Sequence, residues 1–426
     1  MRFRYLVYLL AVFPLLCCSE GGKEGGEEGG DTKPSWYVNT GNYSFSGGKI
    51  SREVLDNYLS RAVTEAEYLC SPGNYGAAYG TDDDTRMLLN IGAKFIGRSI
   101  YVWGNETLFN HDAWLSNAKK KVDAYHAKDP DAIFQAAMFE AIYKSQIEQI
   151  KVPDWVFKAF GLTPEDRSFN YYQMCFEDGS FKDQWGFEAS VPDMTRQETQ
   201  MWFYFMGVKY MEAGIEAFHL GQIDLICKGE KGNYSSIRKV MDLLREAAKT
   251  KARRGTILFD AHSTTGGTAV GSELILDFTS FPLRLREITN EPMKAILRAG
   301  YLDSIIGRTN SGTTPSGWKC SHQPYILEFD NFGTTDHPGK PDVNSHTVWG
   351  YDEISWISQC SEDYQNEFFE YAVDFLYKND PNGFIQMPGL RLSVGGTENI
   401  YRVNTRSNAC PDGHNGEETI KRLWSR

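Results

Sequence analysis

The chain has 426 residues, of which 41% are hydrophobic and 14% aromatic, and its formal net charge is −12. This is the composition of a globular protein with one large domain or two ordinary ones. The negative charge argues against nucleic acid as a partner, because a polyanion is bound by a basic surface.

The first residues predict export and a lipid anchor. Arg2 and Arg4 precede an apolar run over residues 5–16, which is too short to cross a bilayer as a helix. The run ends in Cys17-Cys18 and resembles a bacterial lipoprotein signal, in which the cysteine after the cleavage point carries the lipid. Residues 1–17 are therefore predicted to be the signal peptide, and Cys18 the lipid-bearing first residue of the mature chain.

Residues 18–34 predict a flexible tether, because glycine and glutamate dominate them and cannot build a core. The tether is similar to the acidic segments behind the lipidated cysteine of Bacteroidetes surface lipoproteins. This resemblance implies a protein anchored to the outer membrane of a Gram-negative bacterium and facing the cell surface. In that oxidising setting Cys320 could pair with Cys360, or Cys175 with Cys227, but buried free thiols are an equal alternative.

Residues 35–426 are predicted to form a single domain built from alternating strands and helices. Eight apolar runs have the character of strands buried on both faces. They lie within residues 87–103, 133–139, 214–224, 256–259, 274–276, 324–327, 345–349 and 383–388. The segments with helical spacing between or before them cover residues 51–69, 112–127, 196–213, 234–251, 291–299 and 362–378.

This alternation predicts an α/β fold, specifically a (β/α)8 TIM barrel with long aromatic-rich loop insertions. The longest insertion, residues 153–193, is irregular and rich in aromatic residues, so we expect it to pass over the top of the barrel as the wall of a cleft. A doubly wound open sheet competes with the barrel. Neither a GxGxxG motif nor a phosphate-binding P-loop follows any predicted strand, which disfavours that alternative.

Carboxylates follow several of the predicted strands. Because the carboxyl ends of barrel strands share one face, these groups should meet there. A pair of carboxylates across a cleft is what hydrolysis of a glycosidic bond requires. The predicted catalytic residues are Asp260, Glu328, Glu140 and Asp330, of which the first two are the favoured pair. Each such aspartate could instead cap the helix that follows it.

Other polar and aromatic side chains near the same strands suit hydroxyl recognition and ring stacking. The predicted substrate-binding residues are Trp103, Glu216, His219, Gln222, His262, Asp277, Asn331 and Trp349. No metal is predicted, because His219 and His262 stand alone and a metal-dependent barrel hydrolase would show a His-x-His strand end. No serine-hydrolase elbow occurs, and no cofactor is predicted.

The whole pattern resembles the barrel glycoside hydrolases found among polysaccharide-degrading surface lipoproteins of Bacteroidetes, over about residues 85–400. The resemblance implies hydrolysis of a poly- or oligosaccharide, with the glycan and the membrane as partners and the oligomeric state open. One alternative is a non-catalytic surface protein that binds glycans. Another is a lyase on acidic sugars, which would need Arg284, Arg286 or another cation in the cleft.

Overall fold

The computed structural model describes residues 37–70, 82–230, 232–393 and 400–426. The predicted signal peptide, the tether and Cys18 lie outside these residues. Within the described ranges, no helix combines the length and apolar character that crossing a membrane requires. The six cysteines from Cys70 to Cys410 are free thiols, so neither disulfide considered from the sequence is formed.

Eight parallel strands close into a barrel, which confirms the predicted (β/α)8 fold. They are β1 (Ala62–Glu65), β2 (Phe95–Ile100), β3 (Ile133–Ala137), β4 (Ala217–Gln222), β5 (Leu258–His262), β6 (Thr279–Pro282), β7 (Tyr325–Glu328) and β8 (Gly383–Leu392). Each strand pairs with the next, and β8 pairs with β1, which closes the sheet. A further strand, β9 (Ile400–Arg402), is antiparallel to β8.

Helices connect and surround the strands. They are α1 (Arg52–Leu59), α2 (Asp82–Ile91), α3 (Asp112–His126), α4 (Lys144–Ile147), α5 (Asp154–Ala159), α6 (Tyr171–Met174), α7 (Gln197–Glu212), α8 (Ile223–Ile226), α9 (Ser235–Lys251), α10 (Glu353–Gln359), α11 (Glu362–Asn379) and α12 (Glu417–Trp424). The four long predicted helices correspond to α3, α7, α9 and α11. The apolar stripe of α9 is buried, as the helical spacing predicts.

Three predicted elements are wrong. Residues 51–69 are not one helix, because α1 ends at Leu59 and the chain then enters β1. The run 274–276 is buried but precedes the barrel strand, which is β6. Residues 345–349 form bends and turns, and Asn344 and Trp349, which flank and end this run, both have positive φ angles that regular strand geometry does not include.

A fourth predicted element, the helix over residues 291–299, is also wrong. The structure has turns there and a two-residue strand, Ala295–Ile296, that pairs with Arg286–Glu287. The count of eight strands nevertheless holds, because the missed strand β1 offsets the false strand at 345–349.

The amino-terminal end of the barrel is sealed by an apolar layer. Each strand, or the residue just before it, contributes one buried side chain: Ala62, Phe95, Ile133, Ala217, Leu258, Phe278, Ile326 and Phe384. Helix α1 covers this layer with Val54, Leu55, Tyr58 and Leu59. The bottom of the barrel is therefore closed and apolar, so polar chemistry is confined to the other end.

Leu55→Ala is expected to destabilise the protein by about 2–5 kcal/mol, because it leaves a cavity beneath the barrel. Leu55 is fully buried. The free energy of unfolding from urea denaturation measures the effect. Glu53→Ala, at an exposed position of the same helix, is the matched control and should change it by less than about 0.5 kcal/mol. Equal effects of the two changes would contradict the sealing role of α1.

Candidate active site

The next inward level of the barrel is polar. It consists of the residue two positions further along each strand: Thr64, Gly97, Gln135, His219, Asp260, Ser280, Glu328 and Gln386. Side chains alternate across a strand, so a step of two residues stays on the inner face. We call these eight residues the polar ring. Gly97 leaves space for its neighbours, since a Cβ there would lie 2.0 Å from Gln386 Nε2.

Asp260 is hydrogen-bonded through both of its oxygens to other members of the polar ring. Its Oδ1 accepts a hydrogen bond from Gln135 Nε2 at 2.5 Å. Its Oδ2 accepts from His219 Nδ1 at 2.8 Å and from Ser280 Oγ at 2.7 Å. The residue is 1% exposed. Both oxygens are thus engaged by the protein, which suits a residue that orients its partners.

His219 presents one engaged and one open nitrogen. A carboxylate only accepts, so Nδ1 carries the hydrogen towards Asp260, and in the neutral ring Nε2 carries the lone pair. Among the described residues, Nε2 has no hydrogen-bond partner although the side chain is buried. Burial, followed by the charge of Arg98, lowers the pKa of His219. The ring is therefore held neutral with an open Nε2.

Glu328, at the end of β7, is surrounded by two arginines and a histidine. Arg98 donates to both of its oxygens, through Nε at 3.0 Å and through Nη2. His262 Nε2 donates to Oε1 at 2.5 Å, and Arg391 Nη1 lies 3.8 Å from Oε2. Burial alone would raise the pKa of Glu328, but these three partners hold it well below its ordinary range. Glu328 is therefore an ionised carboxylate inside the barrel.

Arg98 reaches Glu328 because β2 is irregular. The pairing of β2 with β3 shifts register between Ile96 and Ile100. Arg98, inside this interval, has a φ of 53°. A bulge of this kind turns a side chain from one face of a strand to the other. Without it Arg98 would point outwards, since Phe95 and Gly97 are the inward residues. Its guanidinium also lies 5.4 Å from the centre of the Phe139 ring.

Asp330 and Asn331 extend the site towards solvent. Arg391 Nη2 donates to Asp330 Oδ1 and, at 3.0 Å, to Asn331 Oδ1. Burial and the nearby Glu328 would raise the pKa of Asp330, but Arg391 and Arg98 outweigh them and lower it. Arg98 Nη2 is within 3.8 Å of Asp330 as well as bonded to Glu328. The two carboxylates therefore share one cation and lie close together.

An aromatic wall, formed by Tyr101, Trp103, Phe139 and Trp185, stands beside these groups. Phe139 lies at its centre, with ring centroids 5.2 Å from Tyr101 and 5.4 Å from Trp103. The Trp185 ring centroid lies 5.2 Å from that of Trp103. Trp185 belongs to the long insertion over residues 153–193, which was predicted to form a wall of the cleft. Phe139 is 6.2 Å from the ring of His219. Trp103, Phe139 and Trp185 are partly exposed, so the wall borders the mouth of the barrel.

Glu140 and Gln222 lie at the mouth but bond to each other. Glu140 accepts from the Gln222 backbone at 3.1 Å and from Gln222 Nε2 at 2.9 Å. Its carboxylate covers Gly221, where a Cβ would lie 1.9 Å from Oε2. Gly221 has a φ of 61°, which glycine tolerates best. This contact holds the irregular carboxyl end of β4, where the register with β5 shifts between His219 and Gln222, so both oxygens of Glu140 are engaged by the strand end.

Three other predicted site residues lie elsewhere. Glu216 precedes β4 at the sealed end and pairs with Arg253 and Arg254. Asp277 comes before β6 rather than after a strand, and binds the Phe259 backbone at 2.9 Å. Trp349 is buried and donates from Nε1 to the Lys294 carbonyl at 2.9 Å. The prediction that Asp277 and Trp349 mark strand exits is wrong, because neither preceding run is a barrel strand.

Arg284 and Arg286 do not reach the polar ring. Arg284 donates to Asp303 at 2.5 Å. Arg286 lies in the small strand pair opposite Ile296. The arginines at the mouth are instead Arg98 and Arg391, and both are paired with carboxylates.

His219, His262 and Glu328 are also close enough to hold a cation. One ligand atom from each lies within 4.8 Å of the others. Two histidines and a carboxylate are a common donor set for transition metals, and a carboxylate behind a ligating histidine is its usual support. However, Arg98 Nη2 already lies 3.4 Å from His262 Nε2 and bonds Glu328. A guanidinium thus supplies positive charge where a metal ion would sit.

Comparisons with known proteins return distant barrels. No family model matches the chain, and no curated protein matches it by sequence. Several solved structures that resemble it are glycoside hydrolases. A family 5 xyloglucan-specific β-1,4-glucanase from a ruminal metagenomic library has a TM-score of 0.42 and 11% identity, covering 87% of this chain and 95% of that one.

A second structure, the family 53 catalytic domain of Ignisphaera aggregans, has a TM-score of 0.38 and 13% identity, over 86% of this chain and 96% of that one. The family 27 β-L-arabinopyranosidase of Geobacillus stearothermophilus has a TM-score of 0.30 over 52% of this chain. These similarities are too low to place the chain in any of the three families.

Glu328 and Glu353 are expected to affect stability with opposite pH dependence. The folded-state pKa of Glu328 lies well below its ordinary value of 4.5, so its ionisation stabilises the fold above that pH, and this contribution is lost as the pH falls through the folded pKa. Burial raises the pKa of Glu353 to about 8, so its contribution is present below pH 4.5 and is lost as the pH rises through 8.

Urea unfolding of Glu328→Gln, Glu353→Gln and the wild-type protein between about pH 3 and 9 tests this expectation, at roughly 1.4 kcal/mol per unit of pKa shift. The difference in free energy of unfolding between wild type and Glu328→Gln should shrink at acidic pH. At alkaline pH, Glu353→Gln should become more stable relative to the wild type. Deficits that do not change with pH would contradict the assigned charge states.

Proposed function

We propose that this protein hydrolyses the glycosidic bonds of a poly- or oligosaccharide at the mouth of its barrel. The observation that carries the proposal is the position of Glu328. It is an ionised carboxylate at the carboxyl end of β7, and one of its oxygens lies within 4.8 Å of a ring nitrogen of His219, whose Nε2 has no hydrogen-bond partner among the described residues. Glycosidic cleavage needs a carboxylate that acts at the anomeric carbon and a group that protonates the leaving oxygen. The aromatic wall beside them offers faces on which sugar rings stack.

We further propose that the substrate is an uncharged sugar. Arg98 is bonded to Glu328, and Arg391 is bonded to Asp330. Each of these two arginines is thus matched by a carboxylate, and within the described part of the chain the pairs leave no net positive charge of their own for a uronate or sulfate. This balance disfavours the alternative of a lyase on acidic sugars.

The second candidate is a surface protein that binds glycans without cleaving them. Burial is the observation that favours it. Asp260 and Glu328 are each 1% exposed, so a sugar has to enter the mouth of the barrel before it reaches them. Trp103 and Trp185 are more accessible and could bind a glycan chain alone.

A screen of the purified mature protein against neutral and acidic polysaccharides separates these candidates. Product release is followed by chromatography of new reducing ends, and binding by affinity electrophoresis on the same polysaccharides. We expect cleavage of a neutral glycan. Binding without products, even after prolonged incubation, would reject the hydrolase and support the binding protein. Cleavage confined to acidic glycans, with an unsaturated product, would support the lyase.

Cys18 is proposed to carry the lipid anchor, on the strength of the basic, apolar and cysteine-ended leader and the acidic tether behind it. In the full chain, Cys18→Ala is expected to abolish incorporation of labelled palmitate and to move the protein from the membrane fraction to the soluble fraction. Cys17→Ala is the matched control and should retain both properties. Labelling that persists in Cys18→Ala would reject this residue as the anchor.

A further inference from the structure

We propose that His219, oriented by Asp260, is the proton-transfer residue of the site and that Glu328 is the nucleophile it works with. This inference rests on the proposed hydrolase function and assigns its two chemical roles. His219 lies on β4 and Glu328 on β7, which are separated by β5 and β6 in the barrel. One ligand atom of each lies within 4.8 Å of the other. The two groups therefore approach the same space from different sides.

The neighbouring carboxylates are less suited than His219 to donate the proton, because each accepts hydrogen bonds through its oxygens or is held ionised. Both oxygens of Asp260 accept hydrogen bonds within the polar ring. Both oxygens of Glu140 are bound by Gln222. Asp330 is held ionised by Arg391 and Arg98 and cannot donate a proton at neutral pH. His219 Nε2, by contrast, is buried and has no partner among the described residues.

Asp260 gives His219 the arrangement that a proton-transfer residue needs. Its Oδ2 fixes the ring through Nδ1 at 2.8 Å, which sets the tautomer and directs Nε2 away from the carboxylate. Gln135 and Ser280 in turn hold Asp260, so the pair is rigid. Asp260 acts through His219 and is a positioning residue.

The proposed reaction is a two-step hydrolysis that retains the configuration of the anomeric carbon. A Glu328 oxygen attacks the anomeric carbon, the bond to the leaving oxygen breaks, and that oxygen takes the proton from Nε2 of protonated His219. Water then attacks the anomeric carbon, its proton passes to Nε2, and the bond to Glu328 breaks. Glu328 returns as a carboxylate and His219 returns protonated.

The charges around His219 set the expected pH dependence. Arg98 on β2 and His262 on β5 disfavour its protonation, whereas Asp260 on β5 favours it. Since burial and Arg98 dominate and lower the pKa of His219, the acid form increases as the pH falls below neutrality. Glu328 stays ionised well into acid. We therefore expect kcat/KM to rise towards acidic pH before it declines.

The test compares wild type, His219→Ala and Asp260→Asn on two aryl glycosides of the cleaved sugar, one with an acidic phenol as leaving group and one with a weakly acidic phenol. On the glycoside of the weakly acidic phenol, His219→Ala should lose about 10²–10⁴-fold in kcat/KM. On the glycoside of the acidic phenol the loss should be far smaller, because that phenol leaves without being protonated. Its glycosyl ester on Glu328 should accumulate, be visible by intact-protein mass spectrometry, and be released by added azide.

Asp260→Asn should show the same pattern with a smaller loss and a shifted pH profile. His126→Ala is the matched control. His126 is a half-buried histidine whose pKa is also lowered by burial, but it bonds the Ala132 carbonyl away from the polar ring. It should leave kcat/KM and the pH profile unchanged.

Three results would overturn the inference while leaving the proposed function intact. If the wild type is active, two results reject His219 as the proton donor. One is an equal loss of kcat/KM on both substrates in His219→Ala, and the other is that this variant accumulates no ester. A nitrogen-15 NMR spectrum that places the neutral His219 hydrogen on Nε2 rejects the Asp260 pairing without any substrate. By contrast, failure of the wild type to cleave any glycan would reject the hydrolase function itself.

Discussion

Glu328→Gln is expected to lower kcat on the order of 10⁴-fold or more, as loss of a nucleophile does in other enzymes. Glutamine has the same shape, so the hydrogen bond from His262 can persist. An amide, however, cannot attack the anomeric carbon and carries no charge to stabilise positive charge developing there. The initial rate of product release by the purified mature protein measures the effect at the pH optimum of the wild type.

The matched control for this variant is Glu417→Gln. The Glu417 side chain is buried and receives two hydrogen bonds from Arg86, at 2.7 and 2.8 Å, but it lies on α12 outside the barrel. Both substitutions remove the carboxylate from a Glu–Arg pair, so both should reduce the free energy of unfolding, Glu417→Gln by less because the Arg86 side chain is 48% exposed and screened by water. Turnover should be lost only in Glu328→Gln. Equal loss in both variants would attribute the effect to instability, and retained turnover in Glu328→Gln would reject its catalytic role.

The barrel was predictable because its strands are buried on both faces and therefore mainly apolar. Strands β3 and β7 each contain a single residue of the polar ring, Gln135 and Glu328, among apolar neighbours, and a parallel sheet covered by helices favours such runs. The strand β1 escaped prediction because it has four residues and directly follows α1, whose helical spacing masks it. The false strand over residues 345–349 has suitable composition. Its backbone turns at Asn344 and Trp349, which hydrophobicity does not reveal.

The site was predictable only in part. Glu328, His262 and Asp330 follow or end clean strands, and the structure brings them to one mouth. Arg98 and Arg391 were missed, although a charged residue inside a buried strand is itself a signal of a paired site. Their partners are distant in sequence, and the bulge that turns Arg98 inwards depends on pairing between strands. The rule that alternate residues of a strand share one face does not hold at such a bulge.

The ion pair between Arg98 and Glu328 gives the second large expected effect. Arg98→Met should lower the free energy of unfolding by about 3 kcal/mol or more, because it leaves a buried carboxylate without its main partner. The side chains of Arg98 and Glu328 are 7% and 2% exposed, so water cannot replace the lost contact. The same change should raise the pKa of Glu328 and move the acidic limb of the pH–rate profile upwards.

A double-mutant cycle isolates this pair. Adding Glu328→Gln to Arg98→Met should recover part of the lost stability, because the double variant no longer buries an unpaired charge. The matched control is the pair Lys119–Asp123 on α3, whose side chains are 51% and 59% exposed. Lys119→Met should cost less than about 0.5 kcal/mol, since an exposed pair of this spacing contributes little. Strictly additive effects of the two barrel substitutions would mean that Arg98 does not hold Glu328 ionised. The charge state on which the proposed nucleophile depends would then need another source.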